Sequence, residues 1–265
     1  MFFVMLRPAT QLYLAGPFMI FDANNLLLLT GMFLAAMLYS SVGHAGASAY
    51  LALMALFSIP AAVMRPTALA LNILVASIVS ARFTLAGLFR WRVLWPFLIG
   101  AVPLAFFGGS IHLPGNLYRP IVGIVLLVAA ARLLLPQKLH LQETVDPPVI
   151  PAILGGGAIG FLSGLTGTGG GIFLSPLILF MSWAETRTVS GVAAVFILCN
   201  STAGLLGNLS VVGSLPPELP YYAAAVVSGA TAGATLGVRR LSSSLILKAL
   251  GVVLTIAGLK LVLVP

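Results

Sequence analysis

Two glycine-rich stretches of this chain carry the polar groups best placed to bind a solute. One reads GTGGG, residues 167–171, and a continuous apolar run follows it. Glycine lets a ligand approach the backbone closely and adopts dihedral angles that other residues resist. A helix that begins in such a stretch leaves its first N–H groups unpaired, and these, with the positive end of the helix dipole, form an anion site. The chemistry we expect is therefore binding of a small anion.

The other stretch, GHAGA at residues 43–47, lies 124 positions earlier in the chain. It holds His44, the one titratable side chain that we expect deep in the protein. As a cation His44 could hold an anion, and as a titrating group it could couple transport to protons. The alternative is a neutral histidine that is hydrogen-bonded to a backbone carbonyl.

The candidate anion-binding residues lie in these two stretches or in the long apolar segments that follow them. They are Gly43, His44, Gly46, Ser48, Asn72, Ser77, Gly167, Thr168, Gly169, Gly170, Gly171, Asn200 and Ser201. The asparagine and serine side chains could face a cavity, or they could make only helix–helix hydrogen bonds worth about 0.6–2 kcal/mol each.

Two arginines, Arg65 and Arg187, follow the short segments and are expected on opposite sides of the membrane. They could draw anions to the two mouths of a transport pathway. The alternative is that they only extend to the membrane interface.

Composition decides the class of protein. Of the 265 residues, 60% are hydrophobic and only 7% are charged, which is typical of a polytopic membrane protein. The net charge of +8 comes from basic residues scattered singly at the ends of apolar runs, so we predict no nucleic-acid partner. The chain has one cysteine and five acids, and the acids fall in loops or at segment ends. We therefore predict no metal site, no cofactor, no cation pump and no catalytic triad.

The chain divides into two similar halves. We place a lead segment at residues 1–23, a membrane repeat at 24–135, a central polar loop at 136–148 and a second repeat at 149–265. The lead segment is expected to be interfacial or partly inserted, since it shows no convincing signal-peptide cleavage site. The predicted fold is all-α, with about ten helical segments.

The second segment of each half is short. Residues 46–59 and 169–182 would rise about 21 Å as helices, against roughly 30 Å of hydrocarbon. Each is therefore predicted to begin inside the membrane, as half of a broken helix or one leg of a re-entrant hairpin. We call residues 43–47 the first helix break and residues 167–171 the second helix break.

The distribution of lysine and arginine predicts that the two halves have opposite orientations. If the chain reverses its direction across the membrane five times in each half, nine lysine and arginine residues lie on one side of the membrane and four on the other. Inverted repeats of this kind bind substrate near the membrane midplane. We expect the two breaks to face each other there and to open onto a water-filled cavity; breaks packed dry against their neighbours would count against the anion site.

The motifs also resemble those of a known family. GFLSGLTGTGGGIFLSPLIL, residues 160–179, resembles the signature of the sulfite exporter TauE/SafE family of membrane permeases. Its glycine run and proline are matched by Gly167, Gly169, Gly170, Gly171 and Pro176. GLFRWRVLWP, residues 87–96, resembles the family's turn after its third segment.

The resemblance covers about residues 26–264 and is weaker in the first half. There His44 and Ala45 stand where a hydrophobic residue and a glycine are usual. The resemblance implies a multi-pass protein in the lipid bilayer of a bacterial inner membrane. It also implies that this protein transports sulfite or related sulfur-containing anions across that membrane. An anion channel on the same scaffold is the alternative. The sequence leaves the direction of transport, the coupling ion and the oligomeric state open.

Overall fold

A computed structural model describes residues 23–134, 144–212, 215–239 and 244–263. These residues form ten α-helices and no strands, so the prediction of an all-α protein is confirmed. The helices are α1 Ala23–Ser41, α2 Ala47–Leu56, α3 Ala61–Leu85, α4 Trp91–Ser110, α5 Gly115–Leu134, α6 Val149–Thr166, α7 Gly171–Phe180, α8 Thr186–Val212, α9 Leu219–Arg239 and α10 Ser244–Leu263. Five of them, α1, α3, α4, α6 and α8, are long and apolar enough to cross a membrane. Residues 1–22 and 135–143 lie outside the described part, so the limits of the lead segment and of the central loop stay predictions.

The short helices α2 and α7 confirm the prediction of half-length segments. Each has 10 residues, where the sequence suggested 14, and so rises about 15 Å. Both begin after a glycine in the left-handed conformation, Gly46 at φ 100° and Gly170 at φ 80°. These glycines take the cap position, which moves the first helical residue inward from the predicted start.

The short helices also end alike, which accounts for the other lost residues. Ser58 and Ser182 adopt positive φ of 59° and 54° just beyond α2 and α7. The next N–H group of each turn reaches back to a carbonyl five residues earlier, from Ile59 to Met54 and from Trp183 to Ile178. This is the Schellman pattern, in which a left-handed residue closes the helix. The two ends lie 124 positions apart, as the helix breaks do, so the repeat holds at the level of individual turns.

The two halves run in opposite directions through the structure. Along α3 and its counterpart α8, Asn72 meets Ser201, while Arg65 lies beside Asn208. Residue numbers rise along one helix as they fall along the other, so the pair is antiparallel. The corresponding pair α5 and α10 is antiparallel too, with Gly123 beside Val262 and Gly258 beside Leu127. The predicted inversion of the repeats is confirmed.

Glycines bring the long helices into backbone contact. A β-carbon added at Gly156, Gly160 or Gly164 of α6 would lie 2.3, 2.3 or 2.1 Å from a carbonyl oxygen of α4. Glycines 229, 233 and 237 of α9 approach α1 in the same way. Small residues are what allow membrane helices to approach so closely. These two tight pairs are each other's counterparts in the repeat.

Replacing Gly160 by alanine should destabilise the fold more than the same change at Gly155. The new methyl group at position 160 would lie 2.3 Å from the Ala101 carbonyl oxygen, so α4 and α6 must separate. At Gly155 the nearest atom is a leucine side-chain methyl at 3.2 Å, which can turn aside. We expect Gly160→Ala to cost about 1–3 kcal/mol, as overpacked cores do, and Gly155→Ala to be close to neutral. Thermal unfolding of both variants in one detergent checks this, and equal midpoints would contradict the backbone contact.

Candidate functional site

The two helix breaks lie against each other in the interior of the described residues. His44 of the first break has its Nε2 atom 3.3 Å from the Gly171 carbonyl oxygen and 3.0 Å from the Ser175 hydroxyl. Gly169 of the second break packs on the Asn72 side chain in the first half. The sequence therefore placed these groups correctly with respect to each other, although 124 positions separate the breaks.

Asn72 ties the first break to the opposite half. Its Oδ1 accepts the Ala47 N–H at 3.0 Å, and its Nδ2 donates to the Ser201 hydroxyl at 3.2 Å. Asn72 and Ser201 are both buried. One end of α2 is thereby satisfied by a side chain, since the Ala47 N–H is among the groups that a helix start leaves unpaired.

The second break is built differently and leaves its donors unused. Gly167, Gly169 and Gly170 all have positive φ, between 76° and 87°, so the chain turns sharply between α6 and α7. The Gly167 N–H still caps α6 through the Ser163 carbonyl. In the described part of the chain, no hydrogen bond uses the backbone N–H groups of residues 168–172. Five consecutive donors without partners therefore lie at the start of α7, the positive end of its dipole.

Asn200 places an unused acceptor beside these donors. Its Nδ2 donates to the Gly169 carbonyl oxygen at 3.2 Å, and a β-carbon on Gly170 would lie 3.1 Å from the same nitrogen. The residue has no exposed surface, and its Oδ1 has no partner among the described residues. A buried polar atom without a partner costs about 1–3 kcal/mol, so this oxygen and the neighbouring N–H groups together form an incomplete polar site.

Several polar residues at the breaks were missed in the sequence. The Tyr39 hydroxyl lies 2.7 Å from the Ser48 hydroxyl, and the Tyr50 hydroxyl donates to the Ala45 carbonyl. Ser175 contacts His44, as described above. Single tyrosines inside apolar segments were an available signal, because a buried tyrosine usually finds a partner for its hydroxyl.

Ser77 does not join the site that the sequence predicted for it. It is exposed, and its hydroxyl donates to the Ile73 carbonyl of its own helix at 2.7 Å. Five positions along an α-helix turn about 140°, so Ser77 cannot share a face with Asn72. Thr168 stays at the second break, with its hydroxyl 3.1 Å from that of Thr166.

Arg65 is buried rather than exposed at a mouth. Its guanidinium donates to the carbonyl oxygens of Gly109, Ile111 and Leu165, the last two at 3.1 Å. The Asn208 amide, oriented with its oxygen toward Arg65, accepts from Nε at 2.8 Å and from the same terminal nitrogen that reaches Gly109. The carbonyls at the C-terminal ends of α4 and α6 need donors, and Arg65 supplies them.

Arg187 occupies the other end of the molecule. It lies in the first turn of α8 and is exposed. Because α3 and α8 are antiparallel, the two arginines lie at opposite ends, as predicted, but in different environments. Their proposed roles in attracting anions stay predictions.

The water-filled cavity that the sequence argument expected at the breaks is not present in the described structure. Residues 167–171 are all buried, and a β-carbon on Gly171 would lie 2.3 Å from an Ile197 methyl. The expectation was wrong because the side chains of α8 close over the second break, which the spacing of glycines could not reveal. A cleft of about 470 Å³ does lie nearby, on the far side of Arg65. The second break is thus buried in this structure, which counts against an anion site that stands permanently open to water, and a cleft lies at one end of the molecule.

No metal ligand set is formed by the described residues, since no three of their His, Cys, Asp or Glu side chains come together. The site offers backbone N–H groups, amide groups, hydroxyls and one imidazole instead. Such groups bind a small oxyanion by hydrogen bonding.

Comparison with known proteins decides the family. The family model described as sulfite exporter TauE/SafE matches residues 27–261. The chain belongs to the sulfite exporter TauE/SafE family. This TauE/SafE protein is 41% identical over 244 residues to a protein of Sinorhizobium fredii named probable membrane transporter protein y4hK, across 91% of this chain and 99% of the relative. No solved structure matches it.

Family membership agrees with the helices described above. The chain is a multi-pass membrane transporter, and the resemblance carried by the glycine run is confirmed. The second break, which matched the family signature most closely, is also the one whose backbone donors are unused.

Proposed function

We propose that this TauE/SafE protein carries a small oxyanion, sulfite or a related sulfur-containing anion, across a bacterial inner membrane by alternating access. The observation that supports this most is the row of unused N–H groups at residues 168–172, at the positive end of the α7 dipole. Within a membrane each unsatisfied backbone group costs several kcal/mol, so such groups persist where they meet a polar solute or water. An oxyanion supplies several acceptors at once.

The local charge favours an anion over a cation. The described acids, Asp146, Glu185 and Glu218, lie just outside the starts of helices α6, α8 and α9. A cation carrier would need a carboxylate within the membrane. The positive end of the α7 dipole and the donor groups around it make the interior attractive to negative solutes instead.

The inverted repeat supports alternating access as the mode of transport. Counterpart helices in opposite orientations allow the same packing to be made on either side of a central site. The closed breaks suit a state in which the central site is sealed from the cleft. We place the substrate at the second break, between the start of α7 and Asn200, and His44 opposite it.

Flux measurements test this proposal. The purified protein is reconstituted into proteoliposomes and offered sulfite, thiosulfate, sulfate, a sulfonate and a carboxylate in turn. We expect saturable uptake of at least one sulfur-containing anion. Uptake of cations alone, with all five anions ignored, would contradict the proposal.

A channel on the same scaffold is the second candidate, and electrical recording separates the two. Carriers turn over too slowly to give unitary currents, so discrete single-molecule currents would identify a channel. In this proposal the protein is also not an enzyme, and covalent labelling by an active-site serine probe would contradict that part.

Proton coupling through His44 is a further element of the proposal. His44 lies within hydrogen-bond distance of the second break at Gly171 and Ser175, so a proton on the ring would change the field at the site. If coupling exists, sulfite flux into proteoliposomes should move the internal pH, and His44→Gln should uncouple the pH change from the flux. Unchanged internal pH during wild-type flux would exclude coupling.

A further inference from the structure

A cleft next to Arg65 has the composition of an anion vestibule. It encloses about 470 Å³ and is lined by Pro60, Ala61, Ala62, Arg65, Pro66, His112, Leu113, Pro114, Gly115, Asn116, Tyr118, Arg119 and Asn208. The set contains two arginines and a histidine but no acid. Arg119 makes no ion pair within the described residues, since the pairs found there involve Arg90 and Arg92 with Asp146. The cleft therefore presents uncompensated positive charge to solvent.

The cleft leads toward the proposed substrate site. Its floor is Arg65, and the α-carbon of Gly167 packs so closely that a β-carbon there would lie 3.1 Å from Arg65 Cγ. Beside it, the Tyr118 hydroxyl donates to the Thr166 carbonyl at 2.9 Å, and Thr166 contacts Thr168 of the second break. Arg65 and Tyr118 thus separate the cleft from the unused N–H groups.

Among the residues that the structure describes, only neutral acceptors hold Arg65 in place. Its hydrogen-bond partners are backbone carbonyls from the ends of α4 and α6 and the Asn208 amide of α8. The Arg65 guanidinium carries a positive charge, so an oxyanion would add an ion pair and a bidentate fit that a neutral carbonyl lacks. An oxyanion that reaches the floor can therefore compete with these carbonyls for the arginine.

Within the described ranges, this arrangement is found at one end of the molecule. The counterpart of Gly167 is Gly43, which packs on the backbone of Ser190 in α8, with no arginine between. The Arg65 end is also the side on which the charge count placed four of the thirteen basic residues, which makes it extracytoplasmic by the positive-inside rule.

We propose that this cleft is the extracytoplasmic vestibule of the transporter, where Arg119 receives an oxyanion and Arg65 is the gate to the second helix break. The gate opens when the anion replaces the carbonyl and amide acceptors of Arg65 and so releases the ends of α4, α6 and α8. This inference rests on the proposed function for the nature of the solute. The position and the gating of the cleft can be tested without any substrate.

Thiol labelling tests the vestibule and the gate. Cys199 is the one native cysteine, so a Cys199→Ser background accepts single new cysteines. Asn116→Cys, in the exposed wall, should react with a membrane-impermeant maleimide added outside intact cells, about tenfold faster or more than in inverted vesicles. Thr168→Cys, which is buried behind Arg65, should stay unlabelled from outside. Preferential labelling of position 116 from the cytoplasmic side would overturn the assignment.

Two variants probe the gate itself. Arg65→Lys keeps the charge but loses the planar set of donors, and Asn208→Ala removes one acceptor while the backbone carbonyls remain. Each should make Thr168→Cys reactive from outside, at least about tenfold faster than with the intact gate. If Arg65→Lys fails to fold, Asn208→Ala still tests whether Arg65 is a gate. Unchanged reactivity of the cysteine at position 168 in a folded Asn208→Ala protein would overturn the assignment of Arg65 as the gate.

Sulfite flux tests the role of Arg119. Arg119→Gln should raise the outside sulfite concentration for half-maximal flux about tenfold, the effect of one lost charge-assisted contact. Arg82→Gln, an exposed arginine at the opposite end of α3, is the matched control and should change it less than about twofold. If Arg119→Gln and Arg82→Gln changed the sulfite concentration for half-maximal flux equally, the assignment of Arg119 as the residue that first binds the anion would be overturned. If no sulfur-containing anion is transported at all, the proposed function fails, while the labelling results still show whether the cleft is a gated vestibule.

Discussion

Leucine in place of Gly170 should reduce anion flux by more than about tenfold at equal amounts of folded protein. Gly170 has φ 80°, and a β-carbon there would lie 2.9 Å from Ile159 and Phe196. A larger side chain would stand in front of the N–H groups that we assign to the anion. Loss of one interaction of about 1.4 kcal/mol already corresponds to a factor of ten, and this change would block several.

Gly87→Leu is the control for the backbone strain in that experiment. Gly87 has a similar φ of 73°, but nothing lies within 4 Å of its β-carbon position, in the turn between α3 and α4. Both variants therefore carry the left-handed penalty of about 1–2 kcal/mol, and only Gly170→Leu occupies the site. Flux into proteoliposomes, normalised to protein that elutes as a single folded species, is the measurement. Equal flux from the two variants would remove the second break from the transport pathway.

The two half-length helices differ in the side chains that contact their ends. At the start of α2, Asn72 occupies the Ala47 N–H, and at its end Lys260 of α10 donates to the Ala55 and Leu56 carbonyls at 2.9 and 2.8 Å. The positive charge of Lys260 suits the negative end of that helix dipole. The start of α7 has no such side chain. At the first helix break a side chain therefore takes one of the donors, the Ala47 N–H, while the N–H groups of Ala45, Gly46 and Ser48 make no hydrogen bond among the described residues; at the second break none of the donors of residues 168–172 is taken.

Much of the fold could be predicted because the signals are local. The lengths of the apolar runs predicted the helices, and the glycines of the two breaks predicted starts at residues 46 and 169 for the short ones, one and two residues before the observed starts. The inversion followed from the positions of lysine and arginine alone. These features depend on hydrophobic thickness, backbone freedom and charge, each of which acts on a short stretch of chain.

The site could be predicted only in part because its closure depends on contacts between distant segments. The acceptors of Arg65 come from the ends of α4 and α6, about 45 and 100 positions away in the chain. Ile197 covers Gly171 only because α8 crosses the start of α7. Ser77 was misplaced for a simpler reason, since counting polar residues in α3 ignored the 100° turn per residue that separates it from Asn72.

The two central asparagines should respond differently to replacement by leucine, and this contrast is the most direct test of the site. Asn72→Leu leaves the Ala47 N–H and the Ser201 hydroxyl without partners in a dry interior. Each such group costs about 1–3 kcal/mol, so we expect a loss of roughly 2–4 kcal/mol in the free energy of unfolding. Flux should fall with it, because α2 loses its anchor to the other half.

Asn200→Leu removes one hydrogen bond, to the Gly169 carbonyl, together with an oxygen that has no partner. Eliminating an unpaired buried acceptor offsets part of the lost bond, so stability should change by less than about 1.5 kcal/mol. Flux should nevertheless fall at least about tenfold, because leucine removes the Nδ2 donor and places an apolar side chain beside the N–H groups of the proposed site. Thermal unfolding and flux, measured on the same preparations of both variants, give the comparison. A large loss of stability in Asn200→Leu, or undiminished flux, would mean that Asn200 does not border the site of the transported anion.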